Sequence, residues 1–162
     1  MKATRFVIYI DGGSRGNPGP GACAAAVFDS AGGLLAEEGR YLGRCTNNFA
    51  EYNGFSLALS AARRLGAREL KVFSDSELLV KQYQGEYKIK DPVLRGLMAE
   101  IKKAAAGFSK ITLSHIPRGR NSHADGLVNK ILDNSAGLGA ELDRSLAREN
   151  GKKLHQPELW RR

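Results

Sequence analysis

The order of its apolar patterns limits this chain to a sheet that is built from strands first and then covered by helices. Residues 5–10 carry apolar side chains on both faces of an extended chain, which is typical of a central, doubly covered strand. A stretch rich in glycine and proline follows at residues 12–21, and residues 22–28 and 34–42 have the pattern of two more strands, separated by a glycine turn. The opening of the chain therefore predicts an antiparallel meander.

Beyond residue 42 the spacing of apolar residues becomes helical. Apolar side chains recur at intervals of three and four between Tyr52 and Ala62, and Gly66 stands where a helix C-cap is expected. Strands are expected at residues 70–74 and 111–116, and helices at residues 76–83, from Asp91 onward, and at residues 122–133. This order predicts an α/β fold: a mixed sheet with helices on both faces, in which the two later strands join the first in parallel.

A change in amino-acid composition divides the chain into a domain and a C-terminal tail. Residues 1–133 are long enough for one domain with its own core, and residues 134–162 are predicted to form a basic C-terminal extension, helical or partly disordered. No stretch is long and apolar enough to span a membrane, and the start has no signal-peptide pattern, so a cytoplasmic protein is expected. Nothing in the pattern requires a protein partner, and a monomer is expected.

The charge balance favours a polyanionic partner. Lysine and arginine number 25 against 17 acids, which gives a net charge of +8, and nucleic acid is the first candidate for such a partner. A basic protein that binds no polyanion can have the same charge, so charge alone leaves the function open. Cys23 and Cys45 show no pattern that demands pairing, and both are expected to be free thiols.

Four acids fall at the ends of predicted elements. Asp11 ends the first strand, Asp75 follows the fourth, and Glu51 and Asp125 lie in the first turns of helices. Each has a structural alternative when taken alone: a turn for Asp11, a helix cap for Asp75, and capping boxes for the pairs Asn48 with Glu51 and Ser122 with Asp125.

Taken together, the four acids indicate a metal site. Asp11 and Asp75 would lie at corresponding ends of neighbouring parallel strands, which is where α/β folds place their sites. Carboxylates that converge there repel one another unless cations hold them, and oxygen ligands suit Mg²⁺ or Mn²⁺. The histidines and cysteines show no zinc-ligand spacing. A carboxylate cluster on a basic protein suggests two-metal phosphodiester chemistry, with the metals about 3.5–4 Å apart.

Four short motifs surround these acids: Asp11-Gly12-Gly13-Ser14, Thr46-Asn47-Asn48-Phe49-Ala50-Glu51, Ser74-Asp75-Ser76 and Arg120-Asn121-Ser122-His123-Ala124-Asp125. In order and context they resemble the motifs of the type 1 ribonuclease H family, and the resemblance covers residues 2–133, about four-fifths of the chain. It implies the ribonuclease H-like fold, with a mixed sheet of five strands in the order 3-2-1-4-5.

The resemblance implies an endoribonuclease that hydrolyses the RNA strand of RNA–DNA hybrids. Asp11, Glu51, Asp75 and Asp125 would bind two Mg²⁺ ions, for which Mn²⁺ can substitute. One ion would activate a water molecule, and the other would stabilise the leaving 3′-oxygen. The implied products carry 5′-phosphate and 3′-hydroxyl ends.

The resemblance also implies two sets of substrate contacts. The RNA minor groove near the scissile phosphate would face Gly12, Gly13, Ser14, Asn47 and Asn48, and a phosphate of the DNA strand would be held by Arg44 and Thr46. Helix capping remains an alternative role for the two asparagines. Residues 12–21 lack the ending of a nucleotide-binding P-loop, so their glycines are expected to allow a tight connection and a close approach to nucleic acid.

Two departures from the family pattern matter. Many relatives carry a basic, aromatic-bearing insertion that grips the DNA strand. Here only residues 85–90 separate two helices, and Lys88 and Lys90 would partly replace the insertion or belong to a solvated turn. Many relatives also place a histidine in a longer loop after the last strand. His123 would not share a helix face with Asp125, so Arg118 is predicted to take over this catalytic role, and His115 is expected to be packed.

Three other functions remain open on the sequence. The same fold could act on double-stranded RNA or bind hybrids in a larger reverse-transcribing assembly. It could be a non-catalytic hybrid-binding module whose acids only cap helices. A metal-dependent phosphatase for small substrates would leave the basic charge and the paired asparagines unexplained.

Overall fold

The structure, a computed structural model, describes residues 4–148, and for residues 136–148 it describes the backbone alone. The strands are β1 (Arg5–Ser14), β2 (Gly19–Asp29), β3 (Leu34–Cys45), β4 (Glu69–Ser74) and β5 (Lys110–His115). The helices are α1 (Asn47–Arg64), α2 (Glu77–Tyr83), α3 (Pro92–Ala105) and α4 (Ser122–Arg148), and a 3-10 turn spans Arg118–Arg120. Within these residues no helix is long and apolar enough to cross a membrane.

The five strands form one mixed sheet in the order β3-β2-β1-β4-β5, as predicted. β2 pairs antiparallel with β1 and β3, whereas β4 runs parallel to β1 and to β5. The pairing of β1 with β4 ends at Ile10 opposite Ser74, but its pairing with β2 continues to Ser14 opposite Gly21. The prediction that β1 ends at Asp11 is therefore wrong, because the following glycines extend the hairpin with β2. Asp11 instead lies one residue beyond the last β1–β4 pair.

Each face of the sheet is covered by helices. On one face α1 packs on β1 and β2, and α3 packs against α1, in a core that includes Ile8, Phe55 and Ile101, all at most 1% exposed. Burying each such side chain contributes about 1.5–3 kcal/mol. On the other face α4 lies over β2, where Val128 packs against Ala22 and Ala24. Cys23 and Cys45 are both buried and free.

Some of the helices begin and end where the sequence predicts, and others do not. Asp91 caps α3 by accepting a hydrogen bond from the Val93 N–H at 2.8 Å, as predicted. Gly66, just after α1, has a φ of +80°, which glycine adopts without strain. The predicted end of α4 at residue 133 is wrong. The helix runs on to Arg148, because the glycines beyond residue 133 each weaken a helix by only about 1 kcal/mol. The division at residues 133 and 134 stays a prediction, and residues 149–162 lie outside the described part.

Candidate active site

The four acids singled out from the sequence line one cavity of about 410 Å³ at the carboxyl ends of β1 and β4. Asp11 comes from β1, Asp75 from the segment after β4, and Asp125 from the first turn of α4. Glu51 is the fifth residue of α1, so the prediction that it lies in the first turn of that helix is wrong. Other residues that line the cavity are Gly12, Gly13, Ser14, Arg15, Asn47, Arg118 and Asn129. A second cavity, of about 400 Å³, lies at the amino-terminal ends of β1, β4 and β5, and Glu69 is its one acid. The carboxylate cluster therefore belongs to the first cavity.

Two glycines let α1 and β1 approach closely enough to share this cavity. A Cβ atom on Gly12 would lie 2.2 Å from the Ala50 carbonyl oxygen, and one on Gly54 would lie 2.8 Å from the Asp11 carbonyl oxygen. Real Cβ atoms do not come that close to backbone, so only glycine allows this contact between strand and helix. At Gly12 the close approach is thus between β1 and α1 of the protein, whereas the sequence predicted a close approach to nucleic acid. Gly13, by contrast, has only Asn47 Oδ1 within reach, at 4.0 Å.

The helices are capped by residues other than the acids. Thr46 Oγ1 accepts a hydrogen bond from the Phe49 N–H at 3.2 Å, so Thr46 rather than Asn48 caps α1. Ser76 caps α2 through the Leu79 N–H at 3.1 Å. The Asn121 carbonyl accepts from the Asp125 N–H at 3.0 Å, which places Asn121 rather than Ser122 before the first turn of α4. Three of the four acids are thereby free of the capping roles that the sequence allowed them.

Burial and mutual repulsion raise the pKa values of two of the acids. Burial, and then the charges of Asp75 and Asp125, raise the pKa of Asp11 from 3.8 to about 8, although the Gly12 N–H opposes the shift. Burial raises the pKa of Glu51 from 4.5 to about 7 against a hydrogen bond from Ser76. A cation in this cavity would relieve the repulsion and displace the protons.

The carboxylate ligands of the cavity suit a hard divalent cation whose coordination is completed by water and substrate. Within residues 4–135, whose side chains the structure describes, no three acidic, histidine or cysteine side chains stand close enough to form a finished metal cage. Mg²⁺ is usually held by one or two carboxylates together with water and substrate phosphate oxygens. Carboxylates that line one cavity from four elements, with raised pKa values at Asp11 and Glu51, fit this mode of binding.

A network of polar side chains joins the β1–β2 connection to α1. Asn47 Oδ1 accepts hydrogen bonds from the Ser14 N–H at 2.9 Å and from the Ser14 hydroxyl at 3.0 Å. The Asn47 N–H in turn donates to Asn17 Oδ1 at 3.0 Å. The Asn47 amide nitrogen is not used in these bonds, so it is available to a substrate. Ser14 and Asn47 are therefore held together at the cavity, and their contact with RNA stays a prediction.

The remaining residues predicted from the sequence fall into two groups. Arg118 reaches the cavity, with Nη2 4.0 Å from Asp125 Oδ1 and 85% of its side chain exposed. Five others do not line the cavity and are exposed or half-buried: Arg44, Thr46, Asn48, Lys88 and Lys90. The last two belong to the exposed connection between α2 and α3.

His115 and His123, the two histidines among the described residues, do not line the cavity that holds the four acids. His123 Nε2 is 2.5 Å from Glu37 Oε2, and its ring packs edge-on against Phe28, so it faces β2 and β3. The predicted packing of His115 is wrong, because it is the last residue of the edge strand β5 and is exposed.

Three polar residues at the cavity escaped the sequence analysis. Asn129 Nδ2 donates to Asp125 Oδ2 at 3.3 Å, and its position one helical turn after that acid was a usable signal. Arg15 Nη2 lies 2.5 Å from Asp133 Oδ1 and so joins the β1–β2 connection to α4. Asn121 Nδ2 donates to Asp75 Oδ2 at 3.2 Å. The contacts of Arg15 and Asn121 link segments far apart in the chain, which no local pattern reveals.

Comparisons with known proteins agree with this architecture. A family model described as reverse transcriptase-like matches residues 9–131. Bifunctional protein Rv2228c of Mycobacterium tuberculosis is 43% identical over 133 residues, which make up 82% of this chain but 36% of that protein. Ribonuclease HI of Halobacterium salinarum is 40% identical over 131 residues, 81% of this chain and 66% of that protein. The chain thus spans about a third of the length of the first relative.

Solved structures extend the comparison to the fold. The N-terminal RNase H domain of Rv2228c from Mycobacterium tuberculosis has a TM-score of 0.81 at 41% identity, and the match covers 85% of this chain and 99% of that one. LC11-RNase H1 in complex with an RNA/DNA hybrid has a TM-score of 0.77 at 39% identity, covering 81% and 99%. With a family model matched over most of its length, and with the expected sheet order, this chain belongs to the type 1 ribonuclease H family.

Proposed function

We propose that this protein is an endoribonuclease that hydrolyses the RNA strand of RNA–DNA hybrids and leaves 5′-phosphate and 3′-hydroxyl ends. The observation that carries the proposal is the convergence of Asp11, Glu51, Asp75 and Asp125, from different elements, in one cavity. The net charge of +8 supports a polyanionic substrate. The related LC11-RNase H1 has been solved with an RNA/DNA hybrid.

The four carboxylates would hold two Mg²⁺ ions, with Mn²⁺ as a substitute. When bound, these ions would lower the pKa of an attacking water and neutralise the charge that develops at the phosphate. The protein's own part is to orient the oxygen ligands. The Gly12 N–H bonds Asp11, and Asn129 Nδ2 bonds Asp125. Ligands held in this way need little rearrangement when substrate binds, which favours the transition state.

The RNA strand would be read by Gly13, Ser14 and Asn47. The backbone at Gly13 is open on the side where a Cβ atom would stand, so a ribose or phosphate can approach it. The free amide nitrogen of Asn47 would donate to a 2′-hydroxyl, a group that a DNA strand lacks. Because Asn47 Oδ1 is engaged by Ser14, the amide is already turned with its donor outward.

Side chains at the edge of the site, most of them basic, would contact the phosphates of the hybrid. Arg118 would contact the scissile or leaving phosphate from its exposed position near Asp125. The DNA strand would be held outside the cavity by Arg44 and Thr46, and Lys88 and Lys90 would add phosphate contacts beyond them.

Cleavage of a labelled hybrid tests this function. Wild-type protein is compared with Asp75→Asn and with Glu100→Gln, an exposed charge removal on α3, in Mg²⁺ and in EDTA. We expect cutting of the RNA strand alone, in Mg²⁺ alone, by wild type and Glu100→Gln but not by Asp75→Asn. Equal cutting of an RNA duplex would broaden the substrate class. Hybrid binding without cutting in Mg²⁺ or Mn²⁺ would contradict the proposal and favour a binding module.

A further inference from the structure

Asn121 connects three of the segments that carry the acids. Its Nδ2 donates to the Ile10 carbonyl oxygen at 2.8 Å, next to Asp11, and to Asp75 Oδ2 at 3.2 Å. Its own carbonyl oxygen accepts from the Asp125 N–H at 3.0 Å. The residue is 1% exposed and lies just before α4. One side chain and its backbone thus touch the end of β1, the segment after β4 and the first turn of α4.

The orientation of the Asn121 amide follows from its partners. A carbonyl and a carboxylate are both acceptors, so the nitrogen must face them and Oδ1 must face the other way. Oδ1 is buried and finds no hydrogen-bond partner among the described residues. A buried unpaired oxygen costs about 1–3 kcal/mol. The Asn121 side chain is therefore held by the two hydrogen bonds of its nitrogen, to Ile10 and Asp75.

We propose that Asn121 is a positioning residue that holds the Asp75 carboxylate in register with Asp11 and Asp125 for cation binding. The inference rests on the proposed function. Among the side chains of residues 4–135, Asn121 is the hydrogen-bond donor to the Asp75 side chain. Because the same nitrogen also bonds the Ile10 carbonyl, the Asp75 carboxylate is tied to the backbone that presents Asp11. Residues that orient metal ligands in this way typically contribute 10- to 100-fold to metal affinity or activity, roughly.

The test compares Asn121→Ala and Asn121→Leu with wild type. Both variants remove the donor, but leucine keeps the volume that alanine loses. Gln82→Met is the matched control, because Gln82 is also buried and its amide bonds the Lys88 carbonyl and the Tyr52 hydroxyl but none of the four acids. Binding of Mn²⁺ alone is followed by electron paramagnetic resonance of the free ion, with melting temperature and cleavage kinetics measured in parallel.

We expect both Asn121 variants to weaken Mn²⁺ binding by about 10-fold or more and to lower kcat, with the KM for hybrid changed less than about 2-fold. The control should melt at a lower temperature with unchanged Mn²⁺ affinity. In an Asp75→Asn background, Asn121→Ala should have no further effect on Mn²⁺ affinity, because the two act on one ligand.

A purely structural role makes the opposite prediction. Losses of Mn²⁺ affinity that follow melting temperature across all variants, the control included, would overturn the positioning role. Additive losses in the Asp75→Asn background would do the same. Failure of the wild type to cleave hybrid would instead overturn the proposed function, and the Mn²⁺ titration would still decide the role of Asn121.

Discussion

Replacing Asp11 with asparagine is expected to stabilise the metal-free protein while it abolishes hybrid cleavage. The pKa of this carboxyl rises from 3.8 to about 8, first through burial and then through the charges of Asp75 and Asp125. At about 1.4 kcal/mol per pKa unit, ionisation of this group destabilises the folded protein by at most about 6 kcal/mol. The cavity opens to solvent, and the effective dielectric response of proteins reduces this figure to about 2–3 kcal/mol. Asparagine has nearly the same shape and can still accept the Gly12 N–H.

The gain in stability that is expected for Asp11→Asn depends on pH. Since the folded-state pKa of Asp11 lies above its unfolded value, the folded protein binds more protons between about pH 4 and pH 8. Stability contributed by this site therefore falls as pH rises through that window, and the advantage of Asp11→Asn grows over the same range. A gain of this size corresponds to a rise in Tm of roughly 5–10 °C at pH 8 for a chain of this length, and to little at pH 4.

Thermal unfolding in EDTA at a series of pH values measures this directly. Glu100→Gln is the control, because it removes one negative charge from the exposed surface of α3 and should shift Tm little at any pH. A gain in Asp11→Asn that is the same at pH 4 and pH 8 would refute the electrostatic origin. A loss of stability at pH 8 would refute the claim that repulsion is stored in the cavity at all.

Three further predictions concern packing, chemistry and charge. Gly12→Ala should destabilise the protein by about 1–3 kcal/mol in urea unfolding because its Cβ would meet the Ala50 carbonyl, whereas Gly13→Ala should fold normally and raise the KM for hybrid. Arg118→Ala should lower kcat in cleavage assays and leave hybrid affinity largely intact, and unchanged turnover would remove its catalytic role. Truncation after Arg148 removes four of the basic residues of the predicted extension and should flatten the dependence of hybrid affinity on salt; an unchanged slope would show that they make no phosphate contacts.

The sheet and the four acids were predictable because they depend on local patterns and one rule of topology. Short apolar runs that are bounded by turn residues mark the strands, and parallel strands align their carboxyl ends, which brings Asp11 and Asp75 together. The caps were predicted less well, since neighbouring polar residues compete for the same helix end. Thr46 prevailed over Asn48, and Asn121 over Ser122. Moving a helix cap by one or two residues leaves the spacing of the apolar residues unchanged, so that spacing does not decide which residue is the cap.

What the sequence did not reveal is the set of neutral groups that hold the acids in place. Asn121 reaches Ile10 across 111 positions and Asp75 across 46. Gly12 and Gly54 matter through a contact between two backbones. Such residues have no periodicity of their own, because their partners are set by the packing of whole elements.

The same contacts explain how a fold can tolerate several buried carboxylates. The core on the α1 side and the pairing of β1 with both of its neighbours are complete without the acids, so these elements hold Asp11 and Glu51 in place despite the raised pKa values of both. Folding free energy is thereby stored as repulsion among ligands, and cation binding releases it. Stability of the metal-free protein and affinity for cations should consequently change in opposite directions when a ligand is neutralised. Loss of a group that only orients a ligand, such as the Asn121 donor, should lower both. This difference in sign separates the residues that bind cations from those that position them.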